Sequence, residues 1–237
     1  MKKIYEIPWD TKAKFIDRPN RFVANVRLED GREELVHVHD SGRLQELLFV
    51  DNDVKIRSAD NPNRKTKWDM ISAVSDDGED ILINSAYHRY ISQNLLNDSE
   101  ISPFGEVDTL KAEVKYGKSR IDYLLTKGGQ EIWVEIKGVS LAMNKVAAFP
   151  DAPSIRAVKH LKELIELKEQ GKRAAVVLLV LRDAHYFRPK WETDPKFSDT
   201  FYEAIEKGVE VYPIQFELRG RDIIYKGILP IGEKGEY

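Results

Sequence analysis

Charged and apolar side chains alternate along residues 119–138, SRIDYLLTKGGQEIWVEIKG. The Gly128-Gly129 pair is suited to a two-residue hairpin loop, and that loop sets residue 123 opposite 134 and residue 122 opposite 135. One face of the predicted hairpin is then wholly apolar, which is the pattern of a buried face and supports this register. The residues on that face are Ile121, Tyr123, Leu125, Ile132, Val134 and Ile136.

The other face of the hairpin carries the chemistry. Asp122 lies opposite Glu135, and Lys137 points to the same side as Glu135 because it is two residues further along the strand. Facing carboxylates repel each other, and Mg²⁺ binds through one or two carboxylates together with waters and substrate phosphate. The spacing therefore predicts a Mg²⁺ or Mn²⁺ site at Asp122 and Glu135, with Glu113 of the preceding strand as a third acid. Lys137 beside the metal would position or deprotonate a water, or stabilise charge on a phosphate.

A lattice of mixed charges without a metal fits the same spacing equally well, because exposed hairpins often carry such charges. In this interpretation Arg120, opposite Lys137, belongs to the same solvated face. Leu124 and Trp133 also lie on this face, and a fully solvated face does not need them. They favour a face that is partly covered.

The chain before residue 85 reads as short strands separated by turns. Asp30-Gly31 and Asp77-Gly78 are hairpin signals, and a short helix is predicted over residues 42–48. Five strands with one helix suit a small closed barrel of oligonucleotide-binding (OB) type, although an SH3-like barrel gives a similar order. The predicted strands are residues 20–28, 33–40, 53–58, 67–74 and 80–84. We expect this barrel to form a first domain over residues 1–85.

The remaining chain has the pattern of an α/β domain with a mixed sheet. Strands are predicted on both sides of the Gly128-Gly129 turn, and residues 174–183 form a near-continuous apolar run, which is typical of a strand buried on both faces. Helices are predicted over residues 85–98, 153–170 and 195–207, and further strands over residues 110–117, 209–216 and 222–229. We expect this second domain to cover residues 86–237.

Two local basic patches lie in the first domain, although the whole chain has 37 basic and 40 acidic residues and a net charge of −3. The patches indicate nucleic-acid contact through Arg18, Arg21, Arg64, Lys65 and Lys67. A solvated charged face is the alternative interpretation. Aromatic residues near the patches would stack on bases or fill the core: Trp9, Phe15, Phe22 and Trp68.

Composition excludes several classes of protein and site. The chain has no cysteine, so disulfides, thiolate nucleophiles and cysteine-based metal sites are excluded. No apolar run of 18 residues and no signal-like leader is present, and we expect a cytoplasmic protein with no membrane partner. His37 and His39 lie on one side of a predicted strand, but no third ligand is near, which disfavours zinc. No P-loop or Rossmann glycine pattern is present.

The sequence resembles two nested groups of proteins. Asp122 followed by Glu135-Ile136-Lys137 resembles the core of the PD-(D/E)XK nuclease superfamily, whose acids bind Mg²⁺ and whose lysine assists phosphodiester hydrolysis. A narrower resemblance, to the sugar fermentation stimulation protein family, extends along nearly the whole chain. It is carried by NRFVANV (20–26), HVHDSGRLQELL (37–48), NRKTKWDM (63–70), KSRIDYLL (118–125), VEIKGVSL (134–141), AAFPDAPSIRAVKHLKEL (147–164) and DPKF (194–197).

This resemblance implies an OB-fold-like barrel joined to a restriction-endonuclease-like α/β domain, and DNA as the partner. It also favours a functional role for Arg156 and His160, four residues apart on the predicted 153–170 helix, which would flank the metal site and contact phosphate together with Arg120. The sequence departs from the family pattern at His39-Asp40, where the family usually has Pro-Asn.

Three functions follow from these observations. The leading one is a DNA-binding protein with a Mg²⁺-dependent phosphodiesterase site formed by Asp122, Glu135 and Lys137. The second is a non-catalytic DNA-binding regulator of sugar metabolism genes, which needs no divalent ion and whose affinity falls steeply with salt. The third is a protein-interaction module without affinity for DNA. Metal dependence separates the first from the other two.

Overall fold

The computed structural model describes residues 1–61 and 63–235. The chain forms two compact units: the first comprises Met1–Ile91 with Phe216–Lys226, and the second comprises Ser92–Gln215 with the C-terminal segment from Gly227. The first unit thus also contains a segment from late in the chain, and the expected division of the chain at residue 85 stays a prediction. Within the described residues, no helix combines the length and the apolar character needed to cross a bilayer.

The strands and helices are numbered in chain order. The strands are β1 (Lys2–Glu6), β2 (Thr11–Asn20), β3 (Val23–Leu28), β4 (Glu33–His37), β5 (Asp53–Ser58), β6 (Trp68–Val74), β7 (Asp80–Leu82), β8 (Thr109–Tyr116), β9 (Ser119–Lys127), β10 (Gln130–Val139), β11 (Leu141–Met143), β12 (Val146–Phe149), β13 (Arg173–Val180), β14 (Tyr186–Pro189), β15 (Glu210–Arg219) and β16 (Asp222–Ile228). The α-helices are α1 (His88–Asn97), α2 (Ile155–Glu169) and α3 (Pro195–Glu206), and a 3₁₀ turn, Ser85–Tyr87, precedes α1.

A closed barrel forms the centre of the first unit. Its sheet has the order β4-β3-β2-β5-β6-β7, and a parallel pairing between β4 and β6 closes strands β2 to β6 into a ring. The predicted five-stranded barrel is confirmed, but its strands differ from those expected. The ring includes β2, which the sequence analysis missed, and leaves β7, which was counted as a barrel strand, outside it. In this unit β1 pairs with β16 in antiparallel fashion.

The helix predicted over residues 42–48 is wrong. The chain there forms turns, and Leu44 has a positive φ of 52°, which cannot continue a right-handed helix. Leu44 and Leu47 are nevertheless buried in the barrel core. The apolar spacing that resembled a helix therefore reflects core contacts made by a loop.

A mixed sheet forms the centre of the second unit, as predicted. Its strands follow the order β15-β13-β10-β9-β8, in which β10, β13 and β15 are mutually parallel and β8, β9 and β10 are antiparallel. Strand β13 is buried from Ala174 to Val180, in agreement with its apolar run. A separate small sheet of β11, β12 and β14 was not predicted. These observations confirm the expected α/β fold class with an N-terminal barrel.

Helices α2 and α3 pack in one core cluster with β13. The side chain of Ser154 caps α2 by accepting the amide of Ala157, so the helix begins at Ile155. The Asp194 carboxylate, which is 7% exposed, caps α3 by accepting the amide of Phe197 at 3.0 Å. Its other oxygen accepts the amide of Ser154 at 2.8 Å. One buried carboxylate therefore contacts the beginning of both helices.

Candidate active site

The β9–β10 hairpin keeps the predicted register up to a defined point. Its ladder pairs Gln130 with Lys127 and continues to Val134 opposite Tyr123. Beyond that pair the ladder ends, and Asp122 Oδ2 accepts the amide of Ile136 at 2.7 Å. A side-chain carboxylate has thus replaced a strand carbonyl as the acceptor, so the regular pairing stops where the two acids meet.

Glu135 is the most deeply buried acid of this region, with 2% of its surface exposed. Its Oε1 atom accepts hydrogen bonds from Lys137 Nζ and from His160 Nδ1. Because a carboxylate only accepts, Nδ1 of His160 carries the proton in this contact. Lys137 Nζ lies 3.4 Å from His160 Nδ1. Oε2 of Glu135 is buried and has no hydrogen-bond partner within the described residues.

The alternation of the hairpin faces also changes at this point. The predicted apolar face is buried from Ile121 to Leu125 and from Ile132 to Val134, but Ile136 is only half-buried while its neighbour Glu135 is buried. The assignment of Ile136 to a fully buried face is therefore wrong. The strand turns Glu135 inward, toward α2.

Burial raises the pKa of Asp122 to about 6, and the neighbouring Glu135 charge contributes to the increase. The amide of Ile136 and the Lys137 ammonium act in the opposite direction and offset part of it. Burial also acts to raise the pKa of Glu135, but the hydrogen bond from His160 and the charge of Lys137 outweigh it and leave that pKa below its usual range. Glu135 is therefore ionised at neutral pH, and its charge disfavours ionisation of Asp122.

Glu113, the predicted third acid, is placed differently. It is exposed, has a positive φ of 57°, and lies 3.4 Å from the Arg120 guanidinium in an ion pair. Its charge nevertheless contributes to the raised pKa of Asp122. Over residues 1–61 and 63–235, no three or more histidine or acidic side chains are arranged to hold a metal ion. The structure thus brings Asp122 and Glu135 together and leaves Glu113 at the exposed edge.

The two α2 residues singled out by the sequence have different environments. His160 is 5% exposed and contacts Glu135, whereas Arg156 is exposed. The spacing of apolar residues along this helix also predicts a buried stripe of Ile155, Val158, Leu161 and Ile165. Val158, Leu161 and Ile165 are buried, but the prediction is wrong for Ile155, which is 90% exposed.

The sequence places His160 beside the predicted metal site, but its hydrogen bond to Glu135 was not predicted. A signal for it exists, since His160 lies three residues after Ala157 and four before Leu164, both on the buried side of α2. That spacing places the ring on the side of the helix that packs on the sheet.

A second buried acid of α2 provides a contrast. Glu163 Oε1 accepts a hydrogen bond from Ser119 Oγ at 2.6 Å, and Oε2 has no hydrogen-bond partner within the described residues. Its charged neighbour is Lys159, whose Nζ lies 3.5 Å away and also donates to Ser119 Oγ. Glu163 thus lies beside an ammonium and a hydroxyl, whereas Glu135 lies beside another carboxylate as well.

The predicted nucleic-acid residues of the first unit divide into two groups. The guanidinium of Arg18 donates to the carbonyls of Arg21, Asp40, Gly42 and Arg43 at 2.6–2.9 Å, so it fastens a loop.

Arg64 donates to both oxygens of Asp69, at 2.7 and 3.2 Å. By contrast, Arg21, Lys65 and Lys67 are exposed, and no ion pair of theirs is found within the described residues. That these residues bind nucleic acid stays a prediction.

Comparison with known proteins agrees with this architecture. The family profile described as "SfsA N-terminal OB domain" matches residues 16–83, and "Sugar fermentation stimulation protein RE domain" matches residues 86–222. A sugar fermentation stimulation protein homolog of Methanococcoides burtonii is 42% identical over 234 residues, covering 96% of this chain and 94% of that protein. A homolog of the same description from Thermosipho melanesiensis is 41% identical over 226 residues, with 95% and 96% covered.

A solved structure is also similar over the full length. The structure of Pyrococcus furiosus SfsA in complex with Ca²⁺ superimposes with a TM-score of 0.88 at 31% identity, covering 98% of this chain and 100% of that one. Sequence and fold agree over both units, and on these grounds the chain belongs to the sugar fermentation stimulation protein family.

Proposed function

We propose that this protein hydrolyses phosphodiester bonds in DNA with a divalent cation, Mg²⁺ or Mn²⁺, held by Asp122 and Glu135. One observation carries the proposal. Glu135 is a buried, ionised carboxylate whose Oε2 has no hydrogen-bond partner within the described residues. It lies close enough to Asp122 to raise the pKa of that second acid. Two such groups are costly to bury without a compensating positive charge.

The chemistry of the donors fits a hard cation, because Mg²⁺ and Ca²⁺ bind through carboxylate oxygens. The Ca²⁺ complex of the Pyrococcus furiosus protein, 31% identical to this chain, supports a divalent cation in the family. A divalent cation, when bound, supplies positive charge at the phosphate and at the attacking water. Asp122 and Glu135 would hold it.

The neighbouring groups orient Asp122 and Glu135 for metal binding. His160 holds Oε1 of Glu135, which leaves Oε2 available, and the amide of Ile136 fixes Oδ2 of Asp122. Lys137 is 17% exposed at its side chain, so its ammonium can reach a water or a phosphate oxygen while remaining next to Glu135. Its positive charge would stabilise the negative charge that develops on the phosphate during hydrolysis.

Exposed cations would supply the affinity for DNA. Arg21, Lys65 and Lys67 in the first unit, and Arg120 and Arg156 in the second, are exposed to solvent. Contacts of this kind are electrostatic, so we expect the affinity for DNA to fall steeply as salt rises.

The test compares two glutamates of the same strand. Mn²⁺ and Mg²⁺ are titrated calorimetrically into the wild type, Glu135→Gln and Glu131→Gln, and cleavage of labelled DNA is measured with each variant. Glu131 pairs with Lys172 at 2.8 Å in solvent and serves as the matched control. Because groups that only orient a metal ligand are worth about 10–100-fold, we expect Glu135→Gln to lose the metal heat and more than about a hundredfold of the cleavage rate. Glu131→Gln should retain both.

Two results would contradict the proposal. One is a wild type that binds neither cation. The other is a Glu135→Gln variant that cleaves DNA as fast as the wild type. DNA binding without metal dependence and without cleavage would instead favour the non-catalytic regulator.

A further inference from the structure

Three aromatic rings form a continuous group on the barrel of the first unit. The Phe22 ring is 51% exposed, and its centroid lies 6.4 Å from that of His37, with the two planes 19° from parallel. The centroids of the His37 and His39 rings lie 4.3 Å apart, with the two ring planes nearly perpendicular. We name these three rings, together with the exposed cations Arg21, Arg43, Lys65 and Lys67, the stacking surface.

The rings are held by contacts beneath them. Nε2 of His39 lies 3.1 Å from Asp69 Oδ1, and the same carboxylate is held by Arg64. The amide of Val38 donates to the carbonyl of Phe22 at 2.9 Å, which ties the strand of His37 to the chain that carries Phe22. The surface is therefore organised before any ligand binds, which reduces the entropic cost of binding.

Exposed cations adjoin the rings along the chain. Arg21 precedes Phe22, and the carbonyls of Arg21 and Arg43 are both bound by the Arg18 guanidinium, which brings these two segments together. Lys65 and Lys67 flank Thr66, to which Arg64 donates. In the part of the chain that the structure describes, no ion pair occupies the side chains of Arg21, Arg43, Lys65 or Lys67.

We infer that the stacking surface binds single-stranded nucleic acid, with one unpaired base stacked on Phe22 and His37 and the phosphates on either side contacting these cations. The charges fit a polyanion, and the exposed ring fits an aromatic ligand face. In a duplex the base faces are stacked on one another, so only a single strand offers both. Aromatic rings beside a basic groove are how barrels of this type bind single strands without sequence preference.

The inference goes beyond the proposed hydrolysis, because it assigns a preference between single and double strands to residues outside the acidic site. It requires neither metal nor catalysis. Binding can therefore be measured in EDTA, where no divalent cation is available for hydrolysis. A protein that fails to bind single strands in EDTA contradicts this inference alone, and a protein that fails to cleave DNA with metal contradicts the proposed hydrolysis alone.

The experiment measures fluorescence anisotropy of a labelled single-stranded DNA oligonucleotide, and of the corresponding duplex, with the full-length protein in EDTA and low salt. The variants are Phe22→Ala, Phe22→Trp and Phe49→Ala. Phe49 is a matched control, because it is a 45% exposed phenylalanine of the same unit that is not part of the stacking surface. Asp51, two residues further on, contacts Arg27 and donates its amide to the carbonyl of Phe15, so this segment has its own set of contacts. Circular dichroism melting checks that each variant is folded.

We expect the wild type to bind the single strand more tightly than the duplex. Phe22→Ala should lose about tenfold in affinity for the single strand, as is typical of one stacked base, and little for the duplex. Phe22→Trp should retain the affinity and gain tryptophan quenching on binding, whereas Phe49→Ala should match the wild type. The inference is overturned by equal affinity for both DNA forms, by an unchanged Phe22→Ala, or by an equal loss in Phe49→Ala.

Discussion

Asp69 in the barrel and Glu135 in the mixed sheet are both carboxylates that contact one histidine and one basic side chain. Asp69 meets His39 and Arg64, and hydrogen bonds engage both of its oxygens. Glu135 meets His160 and Lys137 through a single oxygen, and its other oxygen is buried without a hydrogen-bond partner within the described residues. The two carboxylates have similar partners, but only Glu135 has an oxygen that no hydrogen bond within the described residues engages.

The difference follows from the basic residue in each group. A guanidinium presents a planar fork that engages both oxygens of a carboxylate, whereas an ammonium is a compact point charge that engages one. Arg64 therefore saturates Asp69, which becomes a structural link, and Lys137 leaves Glu135 able to accept a further ligand. Four substitutions, grouped in three predictions in order of expected effect, test this comparison.

Replacing the two histidines should separate the groups most clearly. His160→Ala removes the donor that orients Glu135, and we expect a loss of about 10–100-fold in Mn²⁺ affinity, the usual effect of removing a group that orients a metal ligand. His39→Ala should leave the Mn²⁺ affinity within about twofold. Calorimetric titration of Mn²⁺ into both variants measures this. Equal Mn²⁺ affinities in the two variants would contradict a metal-binding role for Glu135 that Asp69 lacks.

Asp122→Asn should stabilise the protein at high pH when no metal is present. The pKa of Asp122 is raised to about 6 in the folded protein, so ionisation costs folding free energy as pH rises from about 4 to about 6, and that cost remains at higher pH. The variant lacks this cost, and we expect it to gain on the order of 2 kcal/mol in free energy of unfolding at pH 8. The gain should vanish near pH 4. Urea denaturation in EDTA over this range is the measurement, and a pH-independent difference would contradict it.

Asp69→Asn should have a smaller effect of opposite sign. Burial acts to raise the pKa of Asp69, but the hydrogen bonds from His39 and Arg64 outweigh it and hold that pKa well below its usual range. The carboxylate thus contributes stability above its unfolded pKa of about 4, and this contribution is lost as the pH falls toward the folded pKa. We expect the variant to lose about 1–2 kcal/mol at pH 7 and the difference to shrink below pH 4. A loss that stays the same from pH 7 down to pH 2 would indicate a cause other than the charge of Asp69.

The sequence predicts the hairpin well because its information is local. Gly128-Gly129 and the apolar alternation determine the register as far as Val134, and the ladder confirms it. Beyond Val134 the arrangement depends on Asp122 accepting the amide of Ile136, and no periodicity encodes that contact. The contact of His160 with Glu135 depends likewise on how α2 packs on the sheet.

The barrel shows the same limit. Strand β2 escaped prediction because it contains Pro19 and only two buried apolar side chains, Ala13 and Phe15. The helix expected at residues 42–48 fails because Arg18, distant in sequence, binds three carbonyls of residues 40–43, and Leu44 adopts the left-handed conformation. Local spacing predicts elements that stabilise themselves, whereas a loop fastened by a remote side chain has no local signature.

The Asp194 carboxylate links the stability of the beginning of α2 to that of the beginning of α3. Because its two oxygens accept the amides of Ser154 and Phe197, local unfolding that releases one helix start removes an acceptor that helps to position the other. The free energy of local unfolding at one helix start therefore depends in part on whether the other is folded. Since α2 also carries His160, which contacts Glu135, the carboxylate that caps α3 also helps to position a helix that reaches the site, although no residue of α3 is assigned to the site.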